Sequence, residues 1–165
     1  MIVVVMGVCG CGKTTVGRVV AETAGWPFLD ADDFHPPANV AKMRAGTPLT
    51  DDDRWPWLER LADEMTAINA RGGHAVLACS ALRQAYRDRL MRAGDVRFVH
   101  LKGDRETIAP RLAERAGHYM PATLLDSQLA TLEEPRNAIV VDIRLSVPEQ
   151  AASIAAALNL KPSAR

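Results

Sequence analysis

The chain has 165 residues, with 20 Lys plus Arg balanced by 20 Asp plus Glu, and is 48% hydrophobic. That is one domain's worth of sequence, able to bury a core without disulfides. The charge balance, with no basic block, argues against a nucleic-acid surface, and no apolar run approaches a membrane span.

From the N-terminus, Ile2-Val3-Val4-Val5-Met6 reads as a buried parallel strand, and it leads directly into Gly7-Val8-Cys9-Gly10-Cys11-Gly12-Lys13-Thr14. Because this apolar start runs into a glycine loop it cannot be a removable leader, so a soluble, cytoplasmic protein is expected. The octapeptide fits G-x-x-x-x-G-K-S/T at every fixed position, and Val16, Val19, Val20 and Ala24 then recur at helical spacing. Gly25-Trp26-Pro27 breaks that helix, and Phe28-Leu29 begins a short strand ending in the acidic cluster Asp30-Ala31-Asp32-Asp33. His35 to Asn39 opens a helix through Met43, closed by Arg44 to Pro48. The turn Thr50-Asp51-Asp52-Asp53 can cap the next helix, whose Trp57, Leu58, Leu61, Met65 and Ile68 share one face.

Beyond Gly72-Gly73, the spacing predicts a strand over 75–79, a charged helix through Met91 and a strand over 96–101. A helix over about 105–115, a polar interruption from Ala116 to Pro121, and a helix to Glu134 follow. A strand over 138–141 and a helix over 148–158 close the series, and Lys161 to Arg165 reads as a frayed tail. Five strands interleaved with helices mean a parallel sheet with right-handed crossovers. The expected organisation is a single domain over 1–165, with a phosphate loop at 7–14, an acceptor-binding region at about 30–58 and a lid at about 115–125.

The chemistry follows from residue type. Glycines let the loop backbone curl so that its N–H groups converge on phosphate oxygens, and the following helix adds its positive end. Lys13 is expected to reach the β- and γ-phosphates, and Thr14 to place its hydroxyl on Mg²⁺. Asp30 and Asp32, alternating along an extended segment, would project to one side with Ala31 away; Asp32 suits the acceptor hydroxyl and Asp30 a metal-shell role. Asp33 reads as a helix cap. His35, Lys42, Arg44 and Arg54 offer donors around the same mouth, fitting a carboxylate-bearing or polyhydroxylated acceptor. Trp55 and Trp57 read as packing. Arg111 and Arg115, four apart on one helix face, could stack on adenine and clamp the transferring phosphoryl group, with Gly117 and His118 where a lid hinge is expected.

Cys9, Cys11 and Cys79 form neither a disulfide framework nor a zinc pattern, so reduced thiols are expected. Cys9 and Cys11 read as filler pointing away from the phosphates. A helix N-terminus lowers thiol pKa, which makes their oxidation or alkylation a possible block to nucleotide binding.

Together these stretches closely resemble the small P-loop gluconate kinases, in the shikimate kinase and nucleoside monophosphate kinase fold group. The resemblance rests on Gly7 to Gly17; Asp30 to Pro36 with Asn39, Lys42 and Met43; Gly46 to Leu49 with Asp51, Asp53, Arg54, Trp57 and Leu58; and Ala78 to Arg83 with Tyr86 to Asp88. It continues through Arg115 to Met120, Leu124, Leu125, Ser127 and Gln128, and Thr131 to Pro135. It implies a three-layer α/β/α fold on a five-stranded parallel sheet and ATP- and Mg²⁺-dependent phosphorylation of D-gluconate at its 6-hydroxyl. Nucleotide contacts would run from Gly7 through Val8, Cys9, Gly10, Cys11, Gly12, Lys13 and Thr14 to Thr15, with Arg111. Lys13, Asp32 and Arg115 would be catalytic, Arg83 and His118 would join the acceptor set, and a homodimer is implied. Departures are Cys9 and Cys11 for the family's loop serines, Ala31 for its glycine, and Arg83 where lysine is frequent. Two rival readings are a kinase for another small acceptor, such as shikimate or a nucleoside monophosphate, and a nucleotide-gated binding protein without turnover.

Overall fold

All five residues of Ile2–Met6 (β1) have no solvent exposure, because this strand runs through the middle of a sheet covered on both faces. A computed structural model describes residues 1–114 and 122–162. Its other strands are β2 (Phe28–Asp30), β3 (Ala75–Ala78), β4 (Val96–Lys102) and β5 (Ala138–Asp142). They lie in the order β2-β3-β1-β4-β5, and every neighbouring pair is parallel.

The helices are α1 (Lys13–Ala24), α2 (Pro37–Arg44), α3 (Asp51–Ala70), α4 (Gln84–Met91), α5 (Arg105–Ala113), α6 (Ala122–Thr131) and α7 (Val147–Ala157). The two-residue period of the strands sorts the core into layers. Val3, Val5, Val99 and Leu101 face Val16 and Val20 of α1, Ile108 and Leu112 of α5, and Ile154 of α7. Ile2, Val4, Met6 and Leu77 face Leu58, Leu61 and Met65 of α3 and Leu90 of α4. Strand C-termini therefore open on one rim, where ligands of such sheets bind.

Two local expectations are corrected. The acidic segment is not extended through Asp32: the strand stops at Asp30, whose side chain accepts the Asp32 N–H at 3.1 Å and starts a 3₁₀ turn over Ala31–Phe34. A short carboxylate that bonds the backbone two residues on competes directly with a strand ladder. Ala31 is nevertheless buried, as expected. The helix expected to reach Glu134 closes at Thr131, because the Glu133 N–H donates to the Leu82 carbonyl and its carboxylate accepts the Gln84 N–H.

Those bonds join the end of α6 to the loop between β3 and α4, and Arg87 completes the junction. Its guanidinium, 2% exposed, donates to the carbonyls of Ala81, Leu82 and Glu133 and to Gln84 Oε1. Ala81 takes a left-handed φ of 44°, tolerable for a non-glycine residue only where surrounding bonds hold it. We expect Arg87→Met to lower unfolding free energy by about 2–5 kcal/mol, since it strands buried carbonyls, as checked by urea denaturation.

Candidate active site

The phosphate loop is built from positive-φ joints. Gly7 has φ 145°, and a Cβ there would lie 2.8 Å from Cys11 Sγ and 2.9 Å from the Leu101 carbonyl oxygen. Gly12, the N-cap of α1, has φ 101° and supplies no side-chain cap. Three of the loop's N–H groups bond within the protein: Gly7 to Ser80 O, Cys9 to Gln128 Oε1 and Cys11 to Val8 O. The N–H groups of Val8, Gly10, Gly12, Lys13, Thr14 and Thr15 have no protein acceptor among the described residues, the last five of them at the start of α1. Unsatisfied amides at an uncapped helix N-terminus form an anion site. The Lys13 ammonium donates to the Val8 carbonyl at 3.0 Å, at the edge of that site.

Two acids meet this loop. Thr14 Oγ1 donates to Asp30 Oδ2 at 3.3 Å, so hydroxyl and carboxylate oxygens stand side by side. These hard oxygen donors fit Mg²⁺, which binds through one or two protein oxygens plus substrate phosphates. No group of three or more His, Cys, Asp or Glu able to hold a metal occurs among the described residues. Asp32 follows on the 3₁₀ turn with its side chain 86% exposed toward the rim. Partial desolvation, then the Asp30 carboxylate, push its carboxyl above the usual range, and access to water keeps that effect modest.

His35, with a side chain only 5% exposed, lies 4.0 Å from Asp32 and stacks on Trp57 at a centroid distance of 4.3 Å. Burial lowers its pKa despite the opposing pull of Asp32, so the ring is neutral at pH 7. Trp57 is buried and donates to the Ala31 carbonyl at 2.7 Å, which fixes the acidic turn from beneath. Trp55 is partly exposed, edge-on to Tyr86.

The basic residues of the mouth divide into three kinds. Lys42 is held by both oxygens of Asp53, at 2.7 and 2.8 Å, while Asp53 also closes the capping box with Thr50 at the start of α3. That engagement pulls the Asp53 carboxyl down to about 2. Arg83 donates to Asp51 at 2.7 Å, Arg54 lies 3.7 Å from the same carboxylate, and the Tyr86 hydroxyl donates to it as well. Arg44 is exposed in the last turn of α2. Asp51 thus organises Arg54 and Arg83 into one half-exposed cluster, a role the acidic turn's capping signal did not reveal.

Arg111 donates to the Ile143 carbonyl at 2.7 Å, tying α5 to the segment after β5. Arg115 and His118, with the lid segment 115–121, lie outside the described residues. Cys11 is fully buried, which agrees with its reading as filler, and burial pushes its thiol up rather than down, while Cys79 is pushed up to about 12. The interior wins because desolvation of a thiolate outweighs the attraction of Lys13. A separate cleft of about 470 Å³ lies at the ends of β4 and β5, lined by residues that include Lys102, Asp104, Val140, Asp142 and Arg144. Arg144 bonds Asp142, and Asp104 caps α5, so its principal charges are engaged locally.

A five-stranded parallel sheet with a glycine-rich loop between its central strand and an uncapped helix defines a P-loop nucleotide-binding fold. Residues 2–135 match a family model described as an AAA domain. A gluconokinase of Gluconobacter oxydans is 52% identical over 134 residues, covering 80% of this chain and 75% of that protein. A probable gluconokinase of Xenopus tropicalis is 50% identical over 151 residues, covering 82% and 80%. The crystal structure of a gluconokinase from Sinorhizobium meliloti superposes with a TM-score of 0.86 at 42% identity, covering 95% of this chain and 90% of that one. The chain belongs to the gluconokinase family, within the nucleotide-binding class that the AAA domain model describes.

The two buried histidines make stability pH-dependent. His35 and His100 both have folded pKa values below the ordinary 6.5, so the unfolded chain binds more protons in that range and stability is lost as the pH is lowered. We expect the melting temperature to drop between about pH 7 and pH 5, above the range where Asp53 titrates, and the slope to flatten in His35→Gln. A pH-independent melting temperature across that window would contradict this.

Proposed function

We propose that the chain transfers the γ-phosphoryl group of ATP to the 6-hydroxyl of D-gluconate, giving 6-phospho-D-gluconate and ADP, with Mg²⁺ required. The observation that carries this reading is the run of unsatisfied amides at α1 facing the Asp30–Asp32 pair across the rim. Gluconokinases at half identity supply the substrate.

In this reading the amides of Gly10 and Gly12 to Thr15 hold the phosphates in place, and Lys13 exchanges its bond to the Val8 carbonyl for the β- and γ-phosphates. Thr14 and Asp30 would hold Mg²⁺, which would supply positive charge to offset the charge developing on the transferring phosphoryl group. The acceptor oxygen attacks the γ-phosphorus, the bond from phosphorus to the β,γ-bridging oxygen breaks, and Asp32 takes the hydroxyl proton. A raised carboxyl pKa suits that late proton transfer. His35, being neutral, donates or accepts a hydrogen bond without adding charge, and Arg54, Arg83 and Arg44 supply the positive field for the gluconate carboxylate. Lys42 serves chiefly to fix α2 against α3 through Asp53. Arg111 and Arg115 are assigned to the adenine and phosphoryl side, and His118 to a lid over about 115–125. The family resemblance supports a cytoplasmic homodimer of a single domain, and among the described residues no helix is long and apolar enough to cross a membrane.

ADP release from Mg·ATP should occur with gluconate and fail with shikimate, glucose and nucleoside monophosphates, with Lys13→Ala as the blank. Asp32→Ala should lower kcat by about 10²–10⁴-fold and change the KM for ATP little. Turnover with another acceptor alone would overturn the substrate, and near-wild-type kcat in Asp32→Ala would remove that residue from the chemistry.

A further inference from the structure

The peptide unit between Val8 and Cys9 is held at both ends. Its N–H donates to Gln128 Oε1 at 2.7 Å, across 119 residues of sequence, and its carbonyl accepts the Lys13 ammonium at 3.0 Å and the Cys11 N–H at 3.4 Å. The unit lies between Gly7 and Gly10, both at positive φ, joints at which a peptide plane can turn. Gln128 itself stands on a fastened support. On α6, Leu125 is buried and Leu129 packs on the core, and just beyond it Glu133 is bonded to Leu82 and Gln84.

We propose that Gln128 is a positioning residue for phosphoryl transfer: by holding the Cys9 N–H it sets the plane of the Val8–Cys9 peptide, and through the Val8 carbonyl the location of the Lys13 ammonium. A hydrogen bond to one end of a peptide unit also polarises the other, so the carbonyl that holds Lys13 is strengthened by the glutamine. The Cys9 N–H points to α6, whereas the amides of Gly10 and Gly12 to Thr15 are left for phosphate. This rests on the reading of the loop and Lys13 as the nucleotide grip.

The test uses the full chain with Gln128→Leu, and Gln128→Met as a second isostere should the branched side chain disturb α6. Residue-resolved amide exchange reads the bond, and calorimetry with Mg²⁺ and a non-hydrolysable ATP analogue reads the grip without any acceptor. That keeps the result separate from whether gluconate is the substrate. Faster exchange at Cys9 with about fivefold to tenfold weaker analogue binding, a lower kcat/KM for ATP and an unchanged KM for gluconate is the expected result. Tighter analogue binding would mean that the glutamine stands where a phosphate goes, and would overturn the proposal. Unchanged binding despite an exposed Cys9 amide would overturn it too. So would equal losses on both substrates with a lowered melting temperature, which would mark Gln128 as merely structural.

Discussion

A shortage of hydrogen-bond acceptors at the start of α1 is the constraint on which the rest depends. Backbone N–H groups are left unsatisfied only at a cost, and five stand here without an acceptor among the described residues, with no side-chain cap from Gly12. The surrounding structure keeps that arrangement from relaxing. β1, fully buried at the sheet centre, fixes where the loop begins, and Val16 and Val20 fix α1 against the core. The first half of the loop is tied to Ser80, Val8 and Gln128, so it cannot fold inward to supply the missing acceptors. What remains is a helix start whose amides suit an anion.

Opposite this positive end, the acidic turn and the basic mouth are arranged to keep charges usable. Asp30 bonds Thr14 and the Asp32 backbone, which directs its two oxygens and leaves the Asp32 carboxyl open to the rim. His35 is held neutral by burial against Trp57, so the one buried ring beside Asp32 does not form a permanent ion pair with it. Asp51 gathers Arg54, Arg83 and Tyr86 from two distant segments. Because these side chains are about one-third to nearly one-half exposed, water screens the pairs and each is weak.

Features set by local backbone were legible in the sequence. The phosphate loop is a contiguous pattern, β1 and β3 are apolar runs, and the Thr50–Asp53 cap lies within four residues. Features set by long-range contact were not. Arg87 sits in a helix that reads as charged and exposed, yet it is buried because three carbonyls from two loops converge on it. The Gln128–Cys9 bond spans most of the chain, and no spacing rule reaches that far. The acidic segment was misjudged for a smaller reason: Asp30 bonds the Asp32 N–H and ends the strand two residues earlier than alternation implies. Cys11 is buried filler, as its small side chain inside the loop suggests, and burial outweighs the helix position that would lower a thiol pKa. Arg115 and His118 lie outside the described residues, so their expected roles rest on the sequence resemblance.

The central claim is that the loop's amides are divided between those engaged by the protein and those reserved for phosphate. Residue-resolved amide exchange, with and without Mg²⁺ and a non-hydrolysable ATP analogue, measures that division directly. The account predicts protection gained at Gly10, Gly12, Lys13, Thr14 and Thr15, with Gly7, Cys9 and Cys11 protected before the nucleotide arrives. Protection gained chiefly at Cys9, or at none of the five, would contradict it.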